Sequence, residues 1–471
     1  MNYISTRGGA PQLDFEGALM AGLARDGGLY VPESWPRFAS EDIAALTGQP
    51  YAGAAASVMQ PLVADAIPAP EFAKLIETAY RGFAHPAVAP LVQLGDNLWL
   101  LELFHGPTLA FKDLAMQLLG LLMDRSLKRS GRRATILAAT SGDTGAAAVE
   151  AFKNREAIDL FVLFPDGRIS AAQRRQMTTA GAANVFPVAV NGTFDDCQAI
   201  VKTLFGDHAF RDEMQLSAVN SINWARIMAQ TVYYFAAATA LGAPHRPMRF
   251  SVPTGNFGDI FAGYAARCMG LPVERLIIAT NSNDILARTL ETGLYQPRPV
   301  VATASPSMDI QVSSNFERLI FEASGRDSGR VKALMADFAE TGSFALSEAE
   351  LTAMRAVFSA CRVDEAETAA TMARLHRETG YLADPHTAVG LTAAIREQGD
   401  SASPMIVLAT AHPAKFPDAI EKAAGCLPSI PTRLERALAG REEFASIDAN
   451  AGSVRAVIRQ RSRVQPIGAH S

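Results

Sequence analysis

Lys112 has the sequence position of a reactive amine. It follows a turn-forming loop, residues 105–111, and precedes a strongly apolar segment, residues 114–123, that is predicted to be helical. The dipole at the start of a helix disfavours a cation, and apolar neighbours remove water, so we expect this amine to lose its proton easily. An uncharged lysine is a nucleophile for aldehydes. The plainer alternative is that Lys112 reaches the surface or pairs with Asp113.

A loop with two glycines could hold a phosphate group. Residues 254–258, which we call the glycine loop, read Thr-Gly-Asn-Phe-Gly and lie between an apolar strand, residues 250–253, and a helical stretch, residues 260–268. Glycine lets the backbone approach an anion, and a helix N-terminus favours negative charge. The patterns GxxxxGK(S/T) and GxGxxG are absent, which disfavours a nucleotide. Together with Lys112 the loop meets the requirements for pyridoxal phosphate, whereas alone it could be an ordinary tight turn.

A second loop offers polar groups at another helix start. Residues 140–145, which we call the hydroxyl loop, read Thr-Ser-Gly-Asp-Thr-Gly and follow the apolar run at residues 135–139. Their hydroxyl and amide groups would suit a carboxylate or a phosphate. An equally simple interpretation is that Ser141 or Asp143 caps the following helix.

Asn220, Arg226 and Thr410 complete the set of candidate side chains. The amide of Asn220 and the guanidinium of Arg226 could grip a substrate phosphate, although a helix cap and a surface arginine would explain the same residues. Thr410 ends the apolar run at residues 406–409. A neutral hydroxyl at the end of a strand usually has only a structural role.

These candidates follow an alternation of short apolar runs and longer helical segments. Such an alternation predicts an α/β fold with layered, largely parallel sheets, in which ligands bind where strands lead into helices. Residues 297–380 fit the alternation less well, so we interpret them as an insertion, with a Ser/Pro-rich part at residues 303–314. The predicted strands lie at residues 98–104, 135–139, 160–164, 185–190, 250–253, 276–279 and 406–409.

The two ends of the chain differ from this central part. Residues 1–90 show helical apolar spacing and end in a proline-rich connector, residues 85–90, which predicts a small, mainly helical N-terminal domain. Residues 91–440 form the predicted catalytic domain. The tail, residues 441–471, mixes arginine and glutamate with small residues, which is typical of a solvated helix or an extended arm.

Composition and charge exclude several classes of protein. The 471 residues are 49% hydrophobic and include 43 basic and 48 acidic side chains, a net charge of −5. This mild acidity argues against binding to nucleic acid or to an anionic membrane, and it favours a small substrate. The four cysteines form no CxxC motif, so neither a disulfide framework nor a metal site is predicted. The most apolar stretch, residues 232–243, is too short to span a bilayer, and we expect a cytoplasmic protein.

Taken together, the candidate segments resemble the threonine synthase family of pyridoxal-phosphate enzymes. The resemblance runs through nearly the whole chain and implies a tryptophan-synthase-β-like fold, fold type II, with two α/β subdomains in the catalytic domain. Besides the loops described above, it is carried by the strings at residues 3–8, 26–32, 85–91, 101–104, 112–113 and 384–390.

The resemblance also implies roles for individual residues. Lys112 would bind the cofactor as a Schiff base, and Thr410 would face the pyridine nitrogen of the cofactor. The cofactor phosphate would lie against the glycine loop, Thr254, Gly255, Asn256, Phe257 and Gly258. The substrate carboxylate would bind Ser141, Gly142, Asp143 and Thr144, and the substrate phosphate would bind Asn220 and Arg226.

The implied activity converts O-phospho-L-homoserine and water to L-threonine and phosphate, by γ-elimination of phosphate and β-addition of water. Another lyase of the same fold, such as a serine/threonine dehydratase or a phosphate-eliminating lyase, is the nearest alternative. A non-catalytic protein that binds a phosphate ligand is the alternative from another class. Family habit suggests a monomer or a homodimer.

Asp143 departs from the pattern of related enzymes of this fold. Those enzymes carry Asn at this position of the loop, and the Asn contacts the phenolic oxygen of the cofactor. An ionised carboxylate would repel a phenolate. Asp143 is therefore expected to be protonated, to turn away, or to be replaced in that role by another donor.

Overall fold

The apolar runs of the sequence form two sheets in a computed structural model that describes residues 1–399 and 401–464. Every strand predicted above lies within, or overlaps, a strand of the structure. The strands are β1 (Tyr3–Ser5), β2 (Tyr30–Pro32), β3 (Leu91–Gly95), β4 (Leu98–Glu102), β5 (Ala134–Ala139), β6 (Ile158–Pro165), β7 (Val185–Asn191), β8 (Leu216–Ser217), β9 (Met248–Pro253), β10 (Val273–Thr280), β11 (Leu294–Tyr295), β12 (Phe344–Ala345), β13 (Phe358–Arg362), β14 (Met405–Ala409) and β15 (Ala445–Asp448).

The helices separate most of these strands along the chain. They are α1 (Phe15–Ala21), α2 (Ser40–Ala44), α3 (Tyr51–Val63), α4 (Ala69–Tyr80), α5 (Lys112–Arg129), α6 (Asp143–Phe152), α7 (Ala171–Thr178), α8 (Phe194–Gly206), α9 (His208–Glu213), α10 (Trp224–Ala240), α11 (Gly258–Cys268), α12 (Ile285–Thr292), α13 (Phe316–Ala323), α14 (Ser328–Thr341), α15 (Glu348–Arg355), α16 (Glu365–Thr379), α17 (Pro385–Glu397), α18 (Pro417–Ala424), α19 (Thr432–Ala439) and α20 (Ala451–Arg461). No helix of this described part is long and apolar enough to cross a membrane.

The larger sheet has six strands in the order β13-β10-β9-β14-β4-β3. Its pairs are parallel except β3 with β4, which is antiparallel. Strands β9 and β14 are buried at every position, as expected for central strands that helices cover on both faces. The loops that follow β9 and β14 therefore leave the sheet at the same edge, with the glycine loop after β9 and Thr410 after β14.

The smaller sheet has five strands in the order β15-β7-β6-β5-β8, and all of its pairs are parallel. Strand β6, at the centre, is buried along its whole length. The hydroxyl loop follows β5 and leads into α6. Helix α5 packs against helix α10. The two largely parallel sheets confirm the predicted layered fold with two subdomains.

The N-terminal region is mainly helical, as predicted. Strands β1 and β2 pair antiparallel, and helix α3 packs on α4 and on α10 of the following region. The buried Tyr3 joins these parts, because its hydroxyl donates to the carbonyl of Leu62 and its ring lies 5.7 Å from that of Trp224.

Two expectations about organisation differ from the structure. Part of the segment interpreted as an insertion, residues 297–380, forms β13, which pairs with β10 as an edge strand of the larger sheet. The described part of the tail, residues 441–464, is not a solvated arm, because β15 pairs with β7 and α20 buries Val454 and Ile458 against α8. Its short apolar runs contribute to a sheet whose other strands lie far away in the sequence, and sequence periodicity does not reveal such a contact. Residues 465–471 of the predicted tail lie outside the described residues.

Gly120 allows the close approach of α5 and α6 and gives a test of the fold. A Cβ atom at this position would lie 2.5 Å from the carbonyl oxygen of Ala151. We expect Gly120→Val to lower the free energy of unfolding by about 1–3 kcal/mol, because the helices must separate. Urea denaturation followed by circular dichroism measures the change. Gly206→Val, at the end of α8, is the matched control, since no atom of the described residues lies within 4 Å of an added Cβ there. Equal stability of the two variants would contradict this packing.

Candidate active site

Lys112 is the first residue of α5, and its side chain points into the protein. Only 8% of the residue is exposed. Its Nζ atom donates to Ser307 Oγ at 3.3 Å and lies 3.5 Å from Asp143 Oδ2. Burial lowers the pKa of the amine, and the nearby charges of Lys415 and Arg226 act in the same direction, while Asp143 opposes them. The predicted tendency of Lys112 to lose its proton is confirmed by this environment.

The alternative pairing of Lys112 with Asp113 is absent from the structure. Asp113 is fully buried and accepts hydrogen bonds from the backbone amide and the hydroxyl of Thr108, both at 2.7 Å. These bonds fix the loop that leads into α5. Asp113 is therefore part of the support for Lys112, and the carboxylate that faces the amine is that of Asp143.

The hydroxyl loop is closed by Thr140. Its Oγ1 atom accepts hydrogen bonds from the amides of Gly142 at 2.9 Å and Gly145 at 2.8 Å. Capping by Ser141 or Asp143, one interpretation of the sequence, is wrong, because Gly142 occupies the cap position and Asp143 already belongs to α6. This arrangement holds the loop, including Thr144 in the first turn of α6, at the carboxyl end of β5.

Asp143 is turned inward and is paired with a buried lysine. Lys415 Nζ lies 2.7 Å from its Oδ1 atom, and Gln173 Nε2 donates to the same atom at 2.9 Å. Burial by itself would raise the pKa of Asp143, but the charges of Lys415 and Lys112 override this effect and hold the pKa well below its usual range. Of the three possibilities raised by the sequence, this arrangement disfavours a protonated Asp143.

The glycine loop has the geometry of an anion site. Phe257 adopts a left-handed backbone, φ 63°, and α11 begins at Gly258. The carbonyls of Gly255 and Asn256 face away from the loop and accept bonds from Ser313 and from Asn315. Within the described part of the chain, the amides of residues 255–258 donate to no backbone or side-chain acceptor. These amides and the dipole of α11 favour an anion.

Ser307 joins the glycine loop to Lys112. A Cβ atom on Gly255 would lie 2.9 Å from the carbonyl oxygen of Ser307, whose hydroxyl accepts from Lys112. The backbone amide of Ser307 donates to His386 Nε2 at 3.2 Å, and His386 Nδ1 lies 2.7 Å from Asp384 Oδ1. The imidazole thus has its proton on Nδ1 and presents a lone pair to Ser307. A buried amine and an anion site are therefore adjacent.

Arg226 is a buried cation in this region. It is 3% exposed, Nη1 donates to the carbonyl of Val219 at 3.2 Å, and Nε has no partner within the described residues. Burial lowers the pKa of the guanidinium to about 10. The segment that begins at Asn220 and leads to Arg226 lies against the glycine loop, because the carbonyl of Ser221 is 3.8 Å from the position of a Cβ on Gly258. A buried guanidinium with a free donor is suited to a charged ligand.

Thr410 lies beside the start of α5. It is buried, and its carbonyl accepts from the amide of Phe111, the residue before Lys112, at 2.8 Å. The structure therefore brings Lys112, the hydroxyl loop, the glycine loop and Thr410 to one edge of the sheets, as the parallel topology requires.

Three family models cover most of the chain. Those described as "Threonine synthase N terminus", "Pyridoxal-phosphate dependent enzyme" and "Threonine synthase, C-terminal" match residues 2–80, 85–356 and 387–458. A threonine synthase of Pseudomonas aeruginosa is 51% identical over 98% of this chain and 98% of its own length. The chain belongs to the threonine synthase family.

Solved structures of this family have the same fold. A threonine synthase of Brucella melitensis with bound pyridoxal phosphate has a TM-score of 0.96 and 55% identity, and covers 98% of this chain and 100% of its own. The yeast threonine synthase has a TM-score of 0.92 and 38% identity, with 98% of each chain covered. The resemblance inferred from the sequence, the fold type II architecture and the cofactor, pyridoxal phosphate, are confirmed.

The residues of the candidate site fit pyridoxal phosphate. An aldehyde that carries a phosphate needs a buried amine with a lowered pKa and an anion site within reach of it. Lys112 and the free amides of the glycine loop are such a pair, and Ser307 contacts both. Lys112 would hold the aldehyde carbon and the loop would hold the phosphate.

Sequence reasoning missed Ser307, His386 and Lys415, and it gave Thr140 no role separate from the rest of the hydroxyl loop. Ser307 lies in the segment interpreted as an insertion, and His386 lies in a string that was noted without a role. A histidine two residues after a helix-capping aspartate was a usable signal, since Asp384 caps α17 and also contacts the ring. The burial of Lys415 depends on contacts between distant segments, so the sequence carried no local signal of it.

The contact between Gly255 and Ser307 can be tested by adding one methyl group. Gly255→Ala would push Ser307 away from Lys112, and we expect the affinity for pyridoxal phosphate to fall about tenfold, the equivalent of about 1.4 kcal/mol. Equilibrium dialysis of the apoprotein measures this. Gly95→Ala, which has no atom within 4 Å of its added Cβ, is the control. An unchanged dissociation constant for Gly255→Ala would show that the loop tolerates the methyl group.

Proposed function

We infer that the protein catalyses the conversion of O-phospho-L-homoserine and water to L-threonine and inorganic phosphate. Membership of the threonine synthase family over almost the whole chain supports this activity. The observation that carries it is the buried Lys112 amine, 3.3 Å from Ser307 and adjacent to the glycine loop. In the net reaction the bond between Cγ and the phosphate oxygen breaks and Cγ gains a proton, while Cβ loses a proton and gains the hydroxyl group of water. The other proton of the water balances the released phosphate.

Lys112 is the residue we assign to proton transfer. When bound, pyridoxal phosphate supplies an electron-accepting ring that stabilises negative charge on the substrate carbon next to the amino group. A base must remove the proton from that carbon, and an amine with a lowered pKa is suited to do so near neutral pH. The hydroxyl of Ser307 accepts a hydrogen bond from Nζ and so orients the amine.

The anionic groups of the substrate have two candidate sites. We assign the substrate phosphate to Arg226 and Asn220. A buried guanidinium whose Nε has no partner among the described residues can stabilise the charge that develops on a leaving phosphate. We assign the substrate carboxylate to the hydroxyl loop. Residues 141, 142 and 144 offer hydroxyl and amide donors there, whereas Asp143 is already paired with Lys415.

Thr410 and the glycine loop are assigned to the cofactor. Residues 254–258 would bind its phosphate through backbone amides. Thr410 has a neutral hydroxyl, which would leave the ring nitrogen without a proton if it faces that atom, as the family resemblance implies. A weaker electron sink favours elimination and replacement over amino-group transfer.

The last part of the proposal concerns the compartment, the oligomeric state and the partners of the protein. We propose that it works in the cytoplasm, as a monomer or a homodimer, with a small-molecule substrate and no nucleic-acid partner. The four free cysteines support a reducing compartment, and the net charge of −5 argues against a nucleic-acid partner. The oligomeric state is proposed from family habit alone.

Product analysis separates this function from its nearest alternatives. Purified holoenzyme incubated with O-phospho-L-homoserine is expected to release threonine and phosphate in equal amounts. A dehydratase or phosphate-eliminating lyase would instead release ammonia and 2-oxobutyrate. A colourless protein that cannot be loaded with cofactor would indicate a non-catalytic binding protein.

Replacement of Lys112 is the direct test of its role. We expect Lys112→Ala to prevent borohydride from fixing the cofactor to the chain and to lower kcat by more than about a hundredfold, because the amine that moves the proton is lost. Mass spectrometry and threonine assays measure the two effects. Lys422→Ala, at an exposed position on α18, is the control. Threonine formation at the normal rate by Lys112→Ala would refute the assignment.

Arg226→Ala distinguishes substrate binding from cofactor binding. Loss of a buried cation that contacts a phosphate costs roughly 2 kcal/mol or more, so we expect KM for O-phospho-L-homoserine to rise about 30-fold or more. The dissociation constant of pyridoxal phosphate should stay within about twofold of the normal value. Arg226→Lys keeps the positive charge, so its KM for O-phospho-L-homoserine should lie between those of the normal protein and of Arg226→Ala. Equal losses of substrate and cofactor binding would indicate a folding defect instead.

A further inference from the structure

A buried lysine other than Lys112 completes a cluster of three charged side chains. Lys415 is 0% exposed, and its Nζ atom lies 2.7 Å from Asp143 Oδ1 and donates to the carbonyl of Thr108 at 2.9 Å. The other oxygen of Asp143 lies 3.5 Å from Lys112 Nζ. One carboxylate therefore lies between two buried amines, with the closer contact to Lys415.

The closer pairing of Asp143 with Lys415 determines which form of Lys112 keeps the cluster neutral. With Lys415 and Asp143 ionised, a neutral Lys112 makes the cluster neutral, whereas a protonated Lys112 leaves one net positive charge away from water. A buried net charge is costly. The pair of Lys415 and Asp143 therefore favours the uncharged form of Lys112, which is the form that reacts.

Without Lys415 the same carboxylate would have the opposite effect. An unpaired Asp143 at 3.5 Å would hold a proton on Lys112, because an opposite charge within about 4–6 Å stabilises the charged form of a group. The position of Lys415 is well defined, since Thr108, its second acceptor, is fixed by Asp113. Lys415 also follows closely after Thr410, at the same edge of the sheet.

We propose that Lys415 is a positioning residue that neutralises Asp143, so that the Lys112 nitrogen can release its proton both as a free amine and when joined to the cofactor. The proposal rests on the role given to Lys112 in the proposed function. It also explains how the loop can carry Asp at position 143, because Lys415 neutralises the negative charge of the carboxylate.

Other charged groups face the cluster from the surrounding elements. Arg226 from α10 lowers the pKa of Lys112, and Lys112 lowers the pKa of Asp259 from α11. The charge of Lys415 lowers the pKa of Asp113 from α5 and of His412, which follows β14. None of them is changed in the variants below. A shift in the titration of Lys112 can therefore be assigned to the pair.

The test uses the holoenzyme and its absorbance spectrum. The colour of bound pyridoxal phosphate reports the protonation of the nitrogen that joins it to Lys112, so a pH titration of the spectrum gives a midpoint without any measurement of turnover. We expect Lys415→Met to raise this midpoint and Asp143→Asn to lower it, each by about 1 pH unit or more. The midpoint of the double variant should lie between those of the two single variants, close to that of the normal protein.

Controls separate this proposal from stability effects and from the proposed function. Lys422→Met removes an exposed lysine and should leave the midpoint unchanged. Fixation of the cofactor by borohydride and peptide mapping show, in the normal protein, that Lys112 is the attached residue; a failure there would count against the proposed function and not against the pairing. Melting temperatures show whether each variant is folded.

An unchanged or lowered midpoint in Lys415→Met overturns the proposal. If Lys415→Met does not fold, Asp143→Asn and the double variant still decide, because removal of Lys415 in the Asp143→Asn background must raise the midpoint relative to Asp143→Asn alone. A double variant with the same midpoint as Asp143→Asn also overturns the proposal.

Discussion

The removal of one amine from water is the constraint on which this site depends. Lys112 is useful only if it can be uncharged near neutral pH, and burial is the largest influence that lowers its pKa. Burial of an amine is unfavourable, so the surrounding structure must stabilise the neutral form without supplying water. Helix α5 contributes by placing Lys112 in its first turn, where the dipole disfavours a cation.

The groups around this amine come from strands that are distant in sequence but parallel in space. Thr140 and Asp143 follow β5, the glycine loop follows β9, and Lys415 follows β14. Ser307 lies farther along the chain, after β11, and its segment is held by Asn281 at the end of β10, whose side chain donates to Thr303 and to Asp309, both at 2.8 Å. The other groups are brought together by short loops at the carboxyl ends of parallel strands in the two sheets. The site is therefore a property of the topology as much as of any single loop.

The sequence was informative where a feature is local and uninformative where it depends on distant contacts. Buried strands such as β6 and β14 are continuous apolar runs, and Lys112 precedes an apolar helix, so both could be read from neighbouring residues. The glycine loop was visible for the same reason. Ser307 and Lys415 were missed because an ordinary serine and lysine gain their importance only from what the fold places beside them. The charge state of Asp143 could likewise not be decided until its partner was known.

The pairing of β15 with β7 affects the order in which the molecule can assemble. Strand β7 leaves the ribosome long before Ala445–Asp448, the residues that cover its outer edge. During synthesis that edge therefore exposes unpaired backbone amides and carbonyls, which can recruit strands from other chains. Pairing of such distant segments is also slow, since a large loop must close first. A nascent chain is therefore open to aggregation through this edge until β15 has been made.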